Sequence, residues 1–137
     1  MTTKKYQGGC LCGNVRFEII GNIKNIVFCH CTQCRKAQGS AFATNGNIDK
    51  NDFKFTAGED QLTAYQEGHL TKFFCQQCGS PIISKNTAYP NTVRIRLGAI
   101  ETPITEKPEA HIFTTSKADW DDICDDLPQY ESYEPDR

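Results

Sequence analysis

A chain of 137 residues with 15 basic and 17 acidic side chains carries a net charge of −2 at pH 7, which argues against the broad basic footprint of a nucleic-acid-binding domain. The length suits one domain that buries a core of its own without disulfide staples. No apolar run approaches the roughly 18 residues that a membrane helix needs, and the opening MTTKKYQGG lacks the apolar stretch of a secretion signal. The expectation is a soluble, cytoplasmic protein with neither a membrane nor a nucleic-acid partner.

In chain order, the first strong signal is GGCLCGNVRFEI, residues 8–19. Cys10 and Cys12 sit one residue apart between glycines, and Val15, Phe17 and Ile19 then alternate with Arg16 and Glu18, the period of a half-buried strand. NIVFCH, residues 25–30, predicts a shorter strand running into Cys29-x-Cys31-x2-Cys34, with one or two helical turns after Cys34. Asn45-Gly46 reads as a turn. DFKF places Phe53 and Phe55 on one side of a strand, Ala57-Gly58 marks another turn, and LTAYQ and KFFC predict two more strands. VRIRLGAI alternates Val93, Ile95 and Leu97 with Arg94 and Arg96, and HIFTT supplies a late strand. A further helical turn is expected between Lys117 and Cys124, with Trp120 as a packing anchor. From about residue 121 to 137 the chain reads as a solvated acidic tail, since residues 119–137 hold eight Asp or Glu against one Arg. No repeat or linker divides the chain, so residues 1–137 read as a single, mainly β domain with a core from about 6 to 130.

Eight cysteines in a reducing compartment point to metal or redox chemistry. They fall as Cys10-x-Cys12, Cys29-x-Cys31-x2-Cys34 and Cys75-x2-Cys78, with Cys124 alone. Cysteines one residue apart on an extended segment project to the same side and reach one ion together. Zinc takes four thiolate or imidazole ligands, with the bound sulfur ionised. In FFCQQCGSPI, residues 73–82, the glycine after Cys78 is free to adopt positive φ and to turn backbone N–H groups towards the sulfurs, as in a zinc knuckle. A redox C-x-x-C would instead open a helix, which Gly79-Ser80-Pro81 interrupts. Spacing leaves two partitions. Cys75 and Cys78 close a four-sulfur structural site with Cys10 and Cys12, leaving Cys29, Cys31 and Cys34 with the open fourth position of a catalytic zinc; or they close on two of the middle three. His30 is a further candidate ligand, although in an extended segment it points away from its cysteine neighbours, and His69 and His111 are candidates too.

The order G-G-C-L-C-G, then C-H-C-T-Q-C-R-K-A-Q-G-S, then F-C-x-x-C-G-S, and finally H-I-F-x-x-S-K-x-x-W resembles the glutathione-dependent formaldehyde-activating enzyme family, also called the centromere-protein-V family. The resemblance covers roughly residues 6–130. It implies bent antiparallel sheets of the β-tent type, zinc-stabilised, with few short helices and two zinc ions per chain. By position, Cys10, Cys12, Cys75 and Cys78 would hold the structural zinc, and Cys29, Cys31 and Cys34 the substrate-site zinc. Cys124 matches no ligand position and reads as a semi-buried residue or a free thiol.

The activity implied is that of a carbon–sulfur lyase resembling S-(hydroxymethyl)glutathione synthase, whose partners are a small thiol, glutathione or similar, and an aldehyde such as formaldehyde. Three thiolates on one divalent ion leave a formal charge of −1, which makes it a weaker activator of water than a site of neutral histidines and better matched to a fourth sulfur. Arg35 and Lys36, directly after the last ligand, and the Gly39-Ser40 amides are candidates to hold a substrate anion or the forming alkoxide. His30 is a candidate for proton transfer beside them. Two other classes stay open: a zinc-stabilised binding module, and a thiol redox switch at Cys29, Cys31 and Cys34.

Overall fold

The computed structural model describes residues 3–135; the first two residues and the last two of the acidic tail, Asp136 and Arg137, lie outside the described residues. Two sheets that share no strand build the molecule. Strands β1 (Lys5–Gly9), β2 (Arg16–Ile20) and β5 (Phe53–Ala57) make a small antiparallel sheet in the order β1-β2-β5. The larger sheet adds β3 (Lys24–Cys29), β4 (Ala43–Asp49), β6 (Leu62–Glu67), β7 (Leu70–Cys75), β8 (Pro81–Asn86), β9 (Thr92–Arg96) and β10 (Ala110–Ile112), ordered β10-β3-β4-β9-β8-β7-β6. All of its pairings are antiparallel except β10 on β3. One α-helix stands among the described residues, α1 (Thr32–Gln38), so the chain is mainly β with little helix, as its sequence implies.

The main core lies between the sheets. Val15, Phe17 and Ile19 from β2 and its approach meet Ile48 of β4, Ile83 of β8 and Val93 and Ile95 of β9, all nearly inaccessible to solvent. The alternation seen in both sequences is therefore the alternation of core and opposite faces. Phe53 stacks on Phe17 and meets Phe55 edge-on, closing the core beside β5. A second cluster gathers Val27, Ala43, Ala110 and Ile112 with Cys29 and Cys34 at the far end of the large sheet.

Several local expectations differ from the structure. Asn45-Gly46 is not a turn but the middle of β4, paired with Arg96 and Ile95. A Cβ on Gly46 would stand 2.5 Å from Ile23 Cγ2, so the glycine is needed for close packing rather than for a bend. The helix begins at Thr32, ahead of Cys34, and the segment from Lys117 to Cys124 has no helix; a single 3-10 turn at Thr114–Ser116 precedes it. Trp120 is 69% exposed and anchors nothing, whereas Ala118 and Ile112 are buried. The acidic segment is mostly exposed but returns to the sheet: Tyr130 N–H donates to His111 O at 2.9 Å, and Glu134 is buried.

One carboxylate gathers several donors in the irregular connection after β9. Glu106 accepts hydrogen bonds from the Tyr6 hydroxyl, from Thr105 Oγ1 at 3.0 Å and from Ile23 N–H at 2.7 Å. Burial pushes its pKa up, but these donors outweigh it and hold the carboxyl at about 2, against an ordinary 4.5. A carboxylate depressed in the folded state contributes stability that is complete above the unfolded value and is lost as pH falls through the folded one. Glu106→Gln is expected to reduce unfolding free energy by about 2–3 kcal/mol at pH 7 and by roughly half that at pH 3. Denaturant unfolding at the two pH values checks this, and a loss independent of pH would show that the contribution is not electrostatic.

Candidate metal centre

Cys10 leaves the end of β1 and Cys12 lies in the turn to β2; Cys75 ends β7 and Cys78 lies in the turn to β8. The four Sγ atoms all lie within 4.8 Å of one another. Cys10 Sγ is 3.5 Å from Cys12 Sγ, which is 3.8 Å from Cys75 Sγ. These separations are far longer than the roughly 2.05 Å of a disulfide and close to the roughly 3.8 Å edge of a tetrahedron whose bonds to a central zinc are about 2.3 Å. The donor set therefore fits a zinc ion. Each pair is followed by a glycine in the left-handed region, Gly13 at φ +83° and Gly79 at φ +77°, and these turns wrap backbone around the sulfurs. Val15 N–H donates to Cys10 Sγ at 3.2 Å and Gln77 N–H to Cys75 Sγ at 3.4 Å.

Cys29, Cys31 and Cys34 form a second cluster whose three Sγ atoms also lie within 4.8 Å of one another. Cys29 closes β3, Cys31 is the N-cap of α1 with its sulfur accepting Cys34 N–H at 3.3 Å, and Cys34 lies in the helix's first turn. Hydrogen bonds from Cys29 and Cys34 pull the Cys31 thiol well below its ordinary value, and the same sharing with Cys31 pushes Cys29 far above it. Crowded sulfurs of this kind ionise together only around a cation. Among the described residues no further Cys, His, Asp or Glu donor joins the three.

The three cysteines border a cleft of about 400 Å³ on the face of the large sheet opposite the main core. Its floor comes from cross-strand neighbours, which share a face: Asn45 opposite Arg96, and Ser84 opposite both Arg94 and Lys72. Phe113 and Tyr133 wall one side, and Arg94 pairs with Glu134 at 3.4 Å.

The family model for the glutathione-dependent formaldehyde-activating enzyme matches residues 5–116. The chain belongs to that family. It is 30% identical over 129 residues to a Halomonas elongata protein provisionally named for the same enzyme, covering 85% of this chain and 80% of the relative. A similarly named protein of Colletotrichum graminicola is 30% identical over 80 residues, 54% of this chain and 42% of the relative. A crystal structure of a Rhodobacter sphaeroides protein superposes with a TM-score of 0.59 over 72% of this chain and 91% of that one, at 21% identity, and shows the shared fold.

The family sequence motifs thus bring seven cysteines into two clusters. The neighbouring residues do not all reach the cleft. His30 is fully buried, its Nε2 2.8 Å from His111 Nδ1, and His111 Nε2 is 3.0 Å from Asp125 Oδ2. Gly39 adopts φ +63° as the C-cap of α1, and its amide and that of Ser40 both donate to Arg35 O. Lys36 lines an adjoining groove with Tyr65 and Phe74, while Ser40 borders another with Cys10 and Phe42. Arg35 is half-buried on the same helix, and neither it nor His30 lines the cleft. His69 lies at the exposed rim, and Cys124 is exposed and free. Sequence reasoning passed over Asn45, Lys72, Ser84, Arg94 and Arg96; two arginines on one face of VRIR, a central strand, were the available signal. Cys75→Ser is expected to unfold or aggregate the protein, and Cys31→Ser to leave it folded with about one metal fewer per chain. Metal content and thermal unfolding of both variants check this, and equal collapse would overturn the division of labour.

Proposed function

We propose that the protein adds a small thiol, glutathione or one like it, to a small aldehyde such as formaldehyde, as a carbon–sulfur lyase working in the synthetic direction. Cys29, Cys31 and Cys34 hold the substrate-site zinc in this reading, and Cys10, Cys12, Cys75 and Cys78 hold a structural one, two ions per chain. The observation that carries it is the contrast between the clusters: four sulfurs gather in one, while the other has three sulfurs beside an open cleft and no fourth donor among the described residues.

Zinc bound by three thiolates would supply a soft Lewis acid that holds a substrate sulfur as its thiolate near neutral pH. The chain does the rest. The N-cap of α1 fixes Cys31 against Cys34, and both line the cleft together with Cys29. Lys72 acts electrostatically on Cys31, and Arg96 on all three cysteines, offsetting the negative charge that gathers there. The cleft walls bring thiol and aldehyde together, turning a bimolecular encounter into a local one. The thiolate sulfur forms the new bond to the carbonyl carbon, the π pair moves to oxygen, and that oxygen gains one proton for the one the thiol lost. Thiol and aldehyde combine into a hydroxyalkyl thioether with nothing else consumed.

Cobalt substitution tests the reading. Two cobalt ions per chain and a sulfur-to-metal charge-transfer band that grows with added glutathione are expected. Two ions with a spectrum indifferent to every thiol tried would overturn thiol addition, and one ion per chain would overturn the partition of the cysteines.

A further inference from the structure

Arg96 is a buried cation with no carboxylate partner among the described residues. It is 6% exposed, and its hydrogen bonding among the described residues is one contact, from Nη1 to Ser84 Oγ at 3.3 Å. Its Nε is buried without a partner, and no carboxylate of the described residues lies within ion-pair distance. The neighbouring Arg94, on the same face of β9, is by contrast paired with Glu134. Across the β4–β9 ladder from Arg96 stands Asn45, 2% exposed, whose Oδ1 is also buried without a partner. Both residues line the cleft beside Cys29, Cys31 and Cys34.

A guanidinium taken from water without a counter-ion is strongly unfavourable, so something must answer its charge. Burial pulls Arg96 down from its ordinary value, and the nearby sulfurs of Cys34, Cys29 and Cys31 act against that pull. They offset the charge but leave the directional donors unused. A guanidinium carries five N–H donors in a planar fork that fits a carboxylate with two parallel bonds. The cleft's remaining charges keep its floor cationic: Lys72 is half-buried, whereas Glu67 is exposed at the rim, where solvent weakens its field.

We propose that Arg96, with Lys72 beside it, is the specificity-determining residue of the cleft: it binds a carboxylate of the thiol, so the site takes anionic thiols in preference to neutral or cationic ones. This rests on the thiol-addition reading and adds to it the charge that the substrate must carry. Arg96 positions the thiol and takes no part in bond making.

The test uses the cobalt-substituted protein and three probes of similar size: 3-mercaptopropionate, 2-mercaptoethanol and 2-aminoethanethiol, which add a negative, no and a positive charge. The dissociation constant of each is read from the charge-transfer band for the wild type, Arg96→Gln, Arg96→Lys and Lys72→Gln. Because thiol acidities differ, the quantity compared is the affinity ratio of 3-mercaptopropionate to each other thiol across variants, in which intrinsic acidity cancels. Arg96→Gln is expected to lower that ratio by about tenfold to a hundredfold, Arg96→Lys by less because the charge remains without the fork, and Lys72→Gln by a few-fold. Should Arg96→Gln fail to retain two metals, Arg96→Lys and Lys72→Gln carry the same comparison. Ratios unchanged in the variants that still bind thiols would overturn the assignment of Arg96 while leaving thiol addition standing. A wild-type spectrum that no thiol alters would bring down thiol addition and this inference together.

Discussion

The junction of Cys10, Cys12, Cys75 and Cys78 is the constraint on which the rest of the structure depends. The small and large sheets share no strand, and this cluster joins the β1–β2 turn of one to the β7–β8 turn of the other across a sequence separation of 63 residues between Cys12 and Cys75. A metal bound by these sulfurs would close so long a loop and remove much of the freedom of the unfolded chain. Leu11 N–H reinforces the seam by donating to Ser80 Oγ at 2.9 Å. The register of β7, which ends at Cys75, against β8 places Lys72 beside Ser84 on the cleft face and Phe73 beside Ile83 on the core face. A metal bound by these four sulfurs would thus act on the cleft at a distance, by fixing the strands that floor it.

The division of the large sheet into an apolar and a polar face is carried most clearly by β9. Val93 and Ile95 enter the main core, while Arg94 and Arg96 turn to the other side, where α1 and the returning C-terminal segment cover them. Covering a polar face is unusual, because each buried polar group needs a partner. Here the coverage is incomplete in a specific way: Arg94 is paired with Glu134 from the C-terminal segment, yet Arg96 and Asn45 keep unpartnered atoms beside the three cysteines. These two unpartnered groups leave hydrogen-bonding capacity facing the cleft beside the three sulfurs.

What could be read from the sequence followed the range of the interaction that determines it. The Cys-x-Cys and Cys-x-x-Cys-Gly turns are local, so Gly79 at positive φ and the sulfur pairs around it were legible, as were Val15, Phe17 and Ile19 as a buried row. Asn45-Gly46 misled because turn chemistry and close packing favour the same residue, and only Ile23 against Gly46 decides between them. Strands β1, β4 and β8 escaped notice because KYQGG, ATNGNID and PIISKN lack clean alternation and take their strand character from paired neighbours. Trp120 was expected to pack because it is large and aromatic, yet nothing in its own segment could say that Ala118 would fill the buried position instead. Arg96 was readable only as the outward half of an alternation, since its burial depends on a helix 58 positions or more earlier and on a tail that follows it.

The two sulfur clusters differ in openness for a reason that is local and geometric. In the four-sulfur cluster both turns continue through left-handed glycines, so the chain curls around the sulfurs and supplies two donors from each side. In the three-sulfur cluster the chain instead enters a right-handed helix at Cys31, and α1 carries its backbone away after Cys34. The helix uses its own first-turn amide on Cys31 Sγ and brings no fourth sulfur with it. A strand ending in one cysteine and a helix beginning with two more bring three sulfurs together with no fourth donor among the described residues, and Arg96 and Asn45 line the same cleft. The two clusters thus differ for a local reason, and in the reading proposed above the buried cation beside the smaller one selects the charge of what enters the cleft.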